Sequence, residues 1–234
     1  MELGYWGIKG AAEPIRWLIA FLGLPVKEYN PSSPDDWFVL KKDHMGMDFP
    51  NLPYLLDGDF KISETCAIPF YLANKAGKPE LFGKDGLEQA YHKQIEGVLA
   101  DLWQTYLKAI SHKDNHVEEW KKCAMAGSLL KVKLDQLSKY LGTKEYLFGH
   151  ITYADIALAY QIDFIEITCS SLGLEHFVKA DNLIALNKRV KELPGIKTRV
   201  EQSAEIPFAP ATMVPFKMLT THEHKAKHAH HHKN

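Results

Sequence analysis

The sequence predicts an α/β unit at the N-terminal end followed by an all-α unit. Three observations predict this. Short apolar runs of strand and helix character alternate before residue 78. A stretch of Gly, Pro and charge without period follows, from Lys78 to Gly86. Beyond it, apolar residues recur every three or four positions over long spans. Strands that alternate with helices pack as a mixed sheet covered by helices, whereas sustained helical periodicity builds a bundle.

Residues 2–6 read as a strand and 12–22 as a helix with apolar residues at helical spacing; 26–30 is strand-like, and 35–45 is a short helix or ordered loop. Tyr54–Asp57 and Phe60–Ser63 are separated by Gly58-Asp59, a two-residue hairpin signal. A helix over Ala67–Lys75 completes the order β-α-β-α-β-β-α.

In the second unit, Leu87, Tyr91, Ile95, Val98, Leu99, Leu102, Tyr106 and Ile110 mark a long amphipathic helix over residues 86–111. Leu130, Leu134, Leu137 and Leu141 mark another, stopped by Gly142. Thr152 with Asp155 forms a capping box, and Ile151 with Ile156 a hydrophobic staple. The helix they start is apolar nearly all round, which places it in the middle of the bundle. Two further helices, over residues 182–191 and Ile196–Gln202, flank Pro194-Gly195. The expected division is therefore 1–77, 84–205 and a C-terminal extension, 206–234.

Of the 234 residues 46% are hydrophobic and 24% charged, the balance of a globular chain with ample core. Lys and Arg number 28 against 29 Asp and Glu, a formal charge of −1, so nothing draws the chain toward nucleic acid or an acidic membrane. Cys66, Cys123 and Cys169 are scattered and form no CxxC pair, which argues against a redox dithiol or zinc ribbon and for a reducing compartment. Early charges interrupt any signal-peptide core, and the longest apolar run is far short of the ~20 residues of a membrane span. A soluble, cytoplasmic protein is expected. Six of the 12 histidines fall in the last 13 residues, a tail without an apolar anchor that reads as disordered or appended rather than metal-binding.

Particular residues then sharpen the reading. Leu3-Gly4-Tyr5-Trp6, followed by Gly10 and Ile15-Arg16, resembles the N-terminal signature of the mu-class glutathione transferases and their helminth relatives. The run Asp48-Phe49-Pro50-Asn51-Leu52-Pro53-Tyr54-Leu55 and the Asp57-Gly58 hairpin into Lys61-Ile62 resemble the same class. The resemblance extends to about residue 205 and is densest before residue 75. It implies a thioredoxin-like N-terminal domain with a mixed four-stranded sheet, an all-helical C-terminal domain, and a homodimer. It also implies conjugation of glutathione, a cosubstrate with no other cofactor and no metal, to small hydrophobic electrophiles in detoxification.

The site residues follow from that resemblance. Tyr5, at the end of the first strand, is implied to donate its hydroxyl to the glutathione sulfur. A thiol of pKa ~8.5 is only ~3% ionised at pH 7; a two-unit drop, worth ~2.7 kcal/mol, lies within reach of one hydrogen bond to an anion. The Leu52–Pro53 bond is implied to be cis, turning the Leu52 main chain toward the cysteinyl group. Glu64 and Thr65 are implied to take the γ-glutamyl end at the start of the next helix, where anions are favoured. Trp6 is implied to contact the peptide backbone and Asn51 the cysteinylglycine end.

Lys42 keeps the family's distance to Asn51 and is implied to hold the glycine carboxylate, with Lys41 as the alternative. Trp37 is implied there too, although it lies one residue further from Asn51 than the pattern has it. Asp101 matches an aspartate that reaches the neighbouring subunit's γ-glutamyl ammonium, and Phe49 matches an aromatic key that enters the partner subunit. Trp103 stands where the class has an arginine and Ser111 where it often has a tyrosine, so the wall facing the electrophile departs from the pattern. Two alternatives share the fold: a carrier of hydrophobic ligands with little turnover, and a glutathione-dependent isomerase. Cys66 reads as a small core residue of its helix.

Overall fold

The computed structural model describes residues 1–175, 177–209 and 214–231, the side chains of 227–231 excepted. β1 (Glu2–Gly4) leads through a 3₁₀ turn at Gly10–Ala12 into α1 (Glu13–Leu22) and β2 (Lys27–Tyr29). A π-helical turn (Asp36–Lys41) and a 3₁₀ turn (Lys42–His44) precede β3 (Tyr54–Asp57), β4 (Phe60–Ser63) and α2 (Ala67–Lys75). The strands lie in the order β2-β1-β3-β4, with β1 parallel to β2 and antiparallel to β3. This is a thioredoxin-like mixed sheet. Leu3 and Leu55 enter one core with Ile15, Leu18, Ile68 and Leu72 of the two helices.

The stretch 78–86 between the two parts is packed in its middle. Pro79–Phe82 forms a 3₁₀ turn in which Leu81 and Phe82 are buried, and the Phe82 ring meets those of Phe70, His92 and Tyr153. Its two apolar residues carry no period, so the sequence gives no sign that they pack.

The helical part consists of α3 (Gly86–Ile110), α4 (His116–Ala124), α5 (Leu129–Leu141), α6 (Tyr153–Ser171), α7 (Asp181–Lys191), α8 (Ile196–Gln202) and α9 (Thr221–His231). Asp85 caps α3, its carboxylate accepting from the N–H groups of Leu87 and Glu88. At α6 the Asp155 carboxylate accepts from the main-chain N–H groups of Thr152 and Leu147, each at 2.8 Å, so the capping box also ties down the preceding loop. α6 is buried on nearly every side, as its all-round apolar sequence requires. The helix α4 was not anticipated. It buries Trp120 and Cys123 among charged neighbours, too few apolar positions to show a period.

One core cluster runs through both parts, joining Leu3 and Ile15 to Ile162 and Leu183. Polar links reinforce it. Arg199 of α8 donates to the buried Glu13 of α1 at 2.9 Å and to Glu28 of β2 at 3.1 Å. Ahead of the histidine-rich tail, the described residues of the C-terminal extension are anchored. Phe208, Val214 and Met218 are buried, and the Leu219 N–H donates to Ser171 Oγ. Lys9 Nζ donates to Thr221 Oγ1 at the start of α9. The histidine-rich residues 227–231 are described in backbone only, and 232–234 lie outside the described residues. No helix among the described residues is long and apolar enough to cross a membrane.

Candidate active site

The sheet register assembles the site. Gly4 pairs with Tyr54, and Tyr54 with Ser63, so the end of β1, the start of β3 and the end of β4 lie side by side. Tyr5, Pro53 and Glu64, distant in sequence, therefore occupy one edge of the sheet. The Leu52–Pro53 peptide bond is cis. Asn51 folds back on itself, its Oδ1 accepting from the Leu52 N–H at 2.9 Å and its Nδ2 donating to Glu64 Oε1 at 3.4 Å. Glu64 has φ +80°, a left-handed conformation that costs a residue with a side chain about 1–3 kcal/mol. Its carbonyl accepts from the Ala67 and Ile68 N–H groups, so this turn opens α2 and leaves Thr65 exposed at the helix start.

Tyr5 is held by its own main chain: its N–H donates to the Tyr29 carbonyl, and its carbonyl accepts from Asn30 Nδ2. Its hydroxyl oxygen accepts from the Ala11 N–H at 3.1 Å, which leaves the phenolic proton free to be given away. Burial raises the pKa of this phenol above its ordinary value, outweighing the Ala11 hydrogen bond and the Arg16 charge, so the proton stays on at neutral pH.

The loop carrying Ala11 is fixed from several sides. Tyr160 Oη donates to the Gly10 carbonyl at 2.7 Å, Arg16 Nη1 to the Ile8 carbonyl at 2.7 Å, and the Lys9 and Gly10 N–H groups to the carbonyls of Pro207 and Phe208. Gly10 itself has φ +45°, and a Cβ there would stand 2.7 Å from the Tyr5 hydroxyl. These supports come from α1, α6 and the C-terminal extension. Among them, sequence reasoning singled out Gly10 and Arg16 only as parts of a motif.

The remaining residues divide. Trp6 is half-buried against Phe38, with ring centroids 6.3 Å apart. Trp37 is a core residue: it is 2% exposed and stacks on Tyr54. Lys41 Nζ is drawn away by Glu2 Oε1 at 3.1 Å and by the Tyr29 ring. Lys42 has no carboxylate partner among the described residues, and its Nζ lies 5.8 Å from the Phe38 ring. Asp101 is exposed and pairs with Lys133 of its own chain at 3.2 Å. The turn of α3 that buries Leu99 and Leu102 points it outward. Phe49 is 80% exposed.

A cavity of about 190 Å³ lies between α1, the start of α2, α3 and α6. Pro14, Leu99, Ala100, Trp103, Ala157 and Tyr160 give it an apolar wall; Ala11, Thr65, Glu96 and Gln161 add polar groups. Ala11, whose N–H holds the Tyr5 hydroxyl, thus joins the phenol to the cavity. Trp103 lines the cavity. Ser111 does not line it; it is exposed, one residue beyond the end of α3. Cys66 is not a core residue: it precedes the first residue of α2, so the helix's buried face does not include it, and it lines the cavity exposed.

Comparison with known proteins supplies the context. The family models for the glutathione S-transferase N-terminal and C-terminal domains match residues 1–74 and 100–202. Over 206 residues the chain is 32% identical to the glutathione S-transferase class-mu 26 kDa isozyme 51 of Fasciola hepatica, covering 86% of this chain and 88% of that protein. It is 31% identical over 207 residues to the class-mu 26 kDa isozyme of Schistosoma japonicum, covering 87% and 89%. Among solved structures, the Pi-class glutathione S-transferase of Onchocerca volvulus superposes with a TM-score of 0.75 at 27% identity, covering 91% of this chain and 98% of that one.

Proposed function

The chain belongs to the glutathione S-transferase family, and on that premise we propose that it adds the thiolate of glutathione to small hydrophobic electrophiles, with Tyr5 holding the sulfur ionised. The observation that carries this reading is the Tyr5 hydroxyl. Its acceptor side is occupied by the Ala11 N–H, its proton has no acceptor among the described residues, and it stands at the sheet edge beside the cis-Pro53 turn. A phenol so placed donates to an anion and does not receive from one.

The chemistry is balanced simply. The thiol gives its proton to solvent, and the thiolate forms a carbon–sulfur bond. A leaving group then departs with its electron pair or, at an unsaturated carbonyl, a proton returns to the α-carbon. A two-unit fall in thiol pKa raises the thiolate at pH 7 from ~3% to roughly three quarters, about 25-fold. With a Brønsted slope of ~0.4–0.5 about eightfold is returned as lost nucleophilicity, so ionisation alone supplies about threefold. Positioning of the sulfur against the electrophile supplies the remainder.

Around the sulfur, the Leu52 main chain takes the cysteinyl group, Asn51 and Trp6 the peptide, and Lys42 the glycine carboxylate. Glu64 takes the γ-glutamyl ammonium and Thr65 its carboxylate, with Asp101 of the partner subunit reaching the same end. The exposure of Phe49 supports its insertion into a second copy of the chain, in a homodimer. The cavity beside Trp103 receives the electrophile, glutathione is the cosubstrate, and the role is detoxification in the cytoplasm. The named relatives are transferases, which does not favour the carrier or isomerase readings.

The test is Tyr5→Phe. Ultraviolet titration of bound glutathione is expected to give a thiol pKa near 6.5 in the wild type and near ~8.5 in the variant. At saturating glutathione and pH 7 conjugation falls at least about threefold, and the part of the deficit due to ionisation is gone by pH 9, where the variant's thiol ionises unaided and its thiolate is the more nucleophilic. Equal titration curves for the two proteins would remove Tyr5 from this role.

A further inference from the structure

We propose that Cys66 is a covalent attachment site for apolar α,β-unsaturated carbonyl compounds, which the cavity between α3 and α6 brings to the Cys66 sulfur and to the free hydroxyl of Tyr153. The addition needs no glutathione, so the inference stands apart from the transferase reading.

Of the three cysteines, Cys123 and Cys169 are buried, and burial pushes both thiols up, Cys169 to about 11. Cys66 is exposed and lines the cavity. Exposure alone marks no site, but the same cavity holds a second group without a partner. Tyr153, the first residue of α6, is 6% exposed, its ring stacked on that of Phe82 at 5.5 Å. Its hydroxyl makes no hydrogen bond among the described residues and is open to the cavity. Burial, with the charges that Glu96 and Cys66 carry when ionised adding to it, raises the pKa of this phenol above its ordinary value. The proton therefore stays on, available to an acceptor that a ligand supplies. The Glu96 carboxylate is already paired, its Oε2 accepting from Lys93 Nζ at 2.7 Å.

The cavity has a direction. Glu96 on α3 and Tyr153 on α6 stand with Cys66 at one end. One turn further along each helix come the small residues Ala100 and Ala157, and beyond them Trp103 and Tyr160, whose ring centroids lie 6.2 Å apart. An apolar tail laid along the small residues toward the two rings leaves its reactive end at the thiol and the phenol. There the Cys66 thiolate, its proton lost to solvent, forms a bond to the β-carbon with its own electron pair. The charge passes through the double bond to the carbonyl oxygen, to which the Tyr153 hydroxyl donates, and a solvent proton then completes the α-carbon. The product is a thioether, and nothing is oxidised or reduced.

In the experiment the full chain, without glutathione, is treated at pH 7 with N-phenylmaleimide and with N-methylmaleimide, unsaturated imides that differ in the tail. Mass spectrometry of the chain and its peptides follows the adducts, and each rate is divided by that of the same reagent with N-acetylcysteine. Cys66 is expected to be modified first, at a normalised rate about tenfold higher for the phenyl reagent. Tyr153→Phe, which keeps the ring against Phe82, is expected to slow both reagents about fivefold. Ala100→Leu, which fills the middle of the cavity, is expected to remove the phenyl preference, and it is read alone should Tyr153→Phe not fold. First modification at Cys123 or Cys169, equal normalised rates for the two reagents, a rate unchanged in Tyr153→Phe, or a phenyl preference that survives Ala100→Leu overturns the proposal. Glutathione conjugation is assayed separately on the unmodified chain; if the adduct forms as expected and nothing is conjugated, the transferase reading fails while the assignment of Cys66 stands.

Discussion

Tyr5 depends on a neighbour with no side chain. A Cβ at Gly10 would meet the hydroxyl at 2.7 Å and the ring at 2.8 Å, and the residue's φ of +45° is itself unfavourable to any other residue type. Gly10→Ala is therefore expected to raise the thiol pKa of bound glutathione toward ~8.5, as Tyr5→Phe does, because the phenol is displaced although still present. Ultraviolet titration checks this; an unshifted pKa in Gly10→Ala would show that the loop yields without moving Tyr5. Glu64 is strained in the same left-handed region, and neither its conformation nor its bond to Asn51 is visible in a Glu-Thr pair read as a helix start.

Among the elements, α6 shows how a local signal sets a long-range contact. The Thr152–Asp155 pair was legible because a capping box has fixed spacing. The third partner, the Leu147 N–H, comes from a loop that no spacing rule reaches. Asp155→Ala leaves two buried N–H groups unpaired, and a loss of about 2–4 kcal/mol is expected in urea unfolding at pH 7. A loss below about 1 kcal/mol would mean that solvent reaches the cap. By contrast α4 was illegible, since Trp120 and Cys123 are its buried contacts and the rest of its surface is polar. The residues 35–45 resolve into a π-helical turn and a 3₁₀ turn, which fits their unsettled reading as helix or ordered loop. It is there that Trp37 turns into the core and Lys41 toward Glu2.

For the molecule as a whole, the two parts are joined by core packing and by Arg199. Burial alone would push the Glu13 carboxyl up, but hydrogen bonds and charge from Arg199, with Arg16 in support, hold it below the ordinary value. A native pKa below the unfolded one gives stability that is present above pH ~4.5 and lost as pH falls through the native value. Arg199→Met is expected to cost about 3 kcal/mol at pH 7 and to make the decline between about pH 5 and 3 shallower. Urea midpoints across that range decide it; an unchanged acid limb would place the linkage elsewhere. At the same scale, Phe49→Ser is expected to shift the mass in solution from dimer toward monomer. Identical masses would leave Phe49 without a part in assembly.

By itself the sequence determined the order of strands and helices in the N-terminal part, the long helices of the second, the hairpin, the capping box and the Tyr5 and Phe49–Leu55 motifs, because each is set by residues a few positions apart. Only the tertiary structure decided what those motifs face. Sheet register brought Tyr5 to Pro53 and Glu64, and the packing of α6 and the C-terminal extension fixed the loop behind the phenol. It also sent Trp37 inward and Asp101 outward, exposed Cys66, and left the Gln161 oxygen unpaired. Hydrogen bonds across 150 residues of chain and the sharing of one cavity by three helices and the turn before α2 leave no periodic trace, since they depend on where elements meet and not on how each is built.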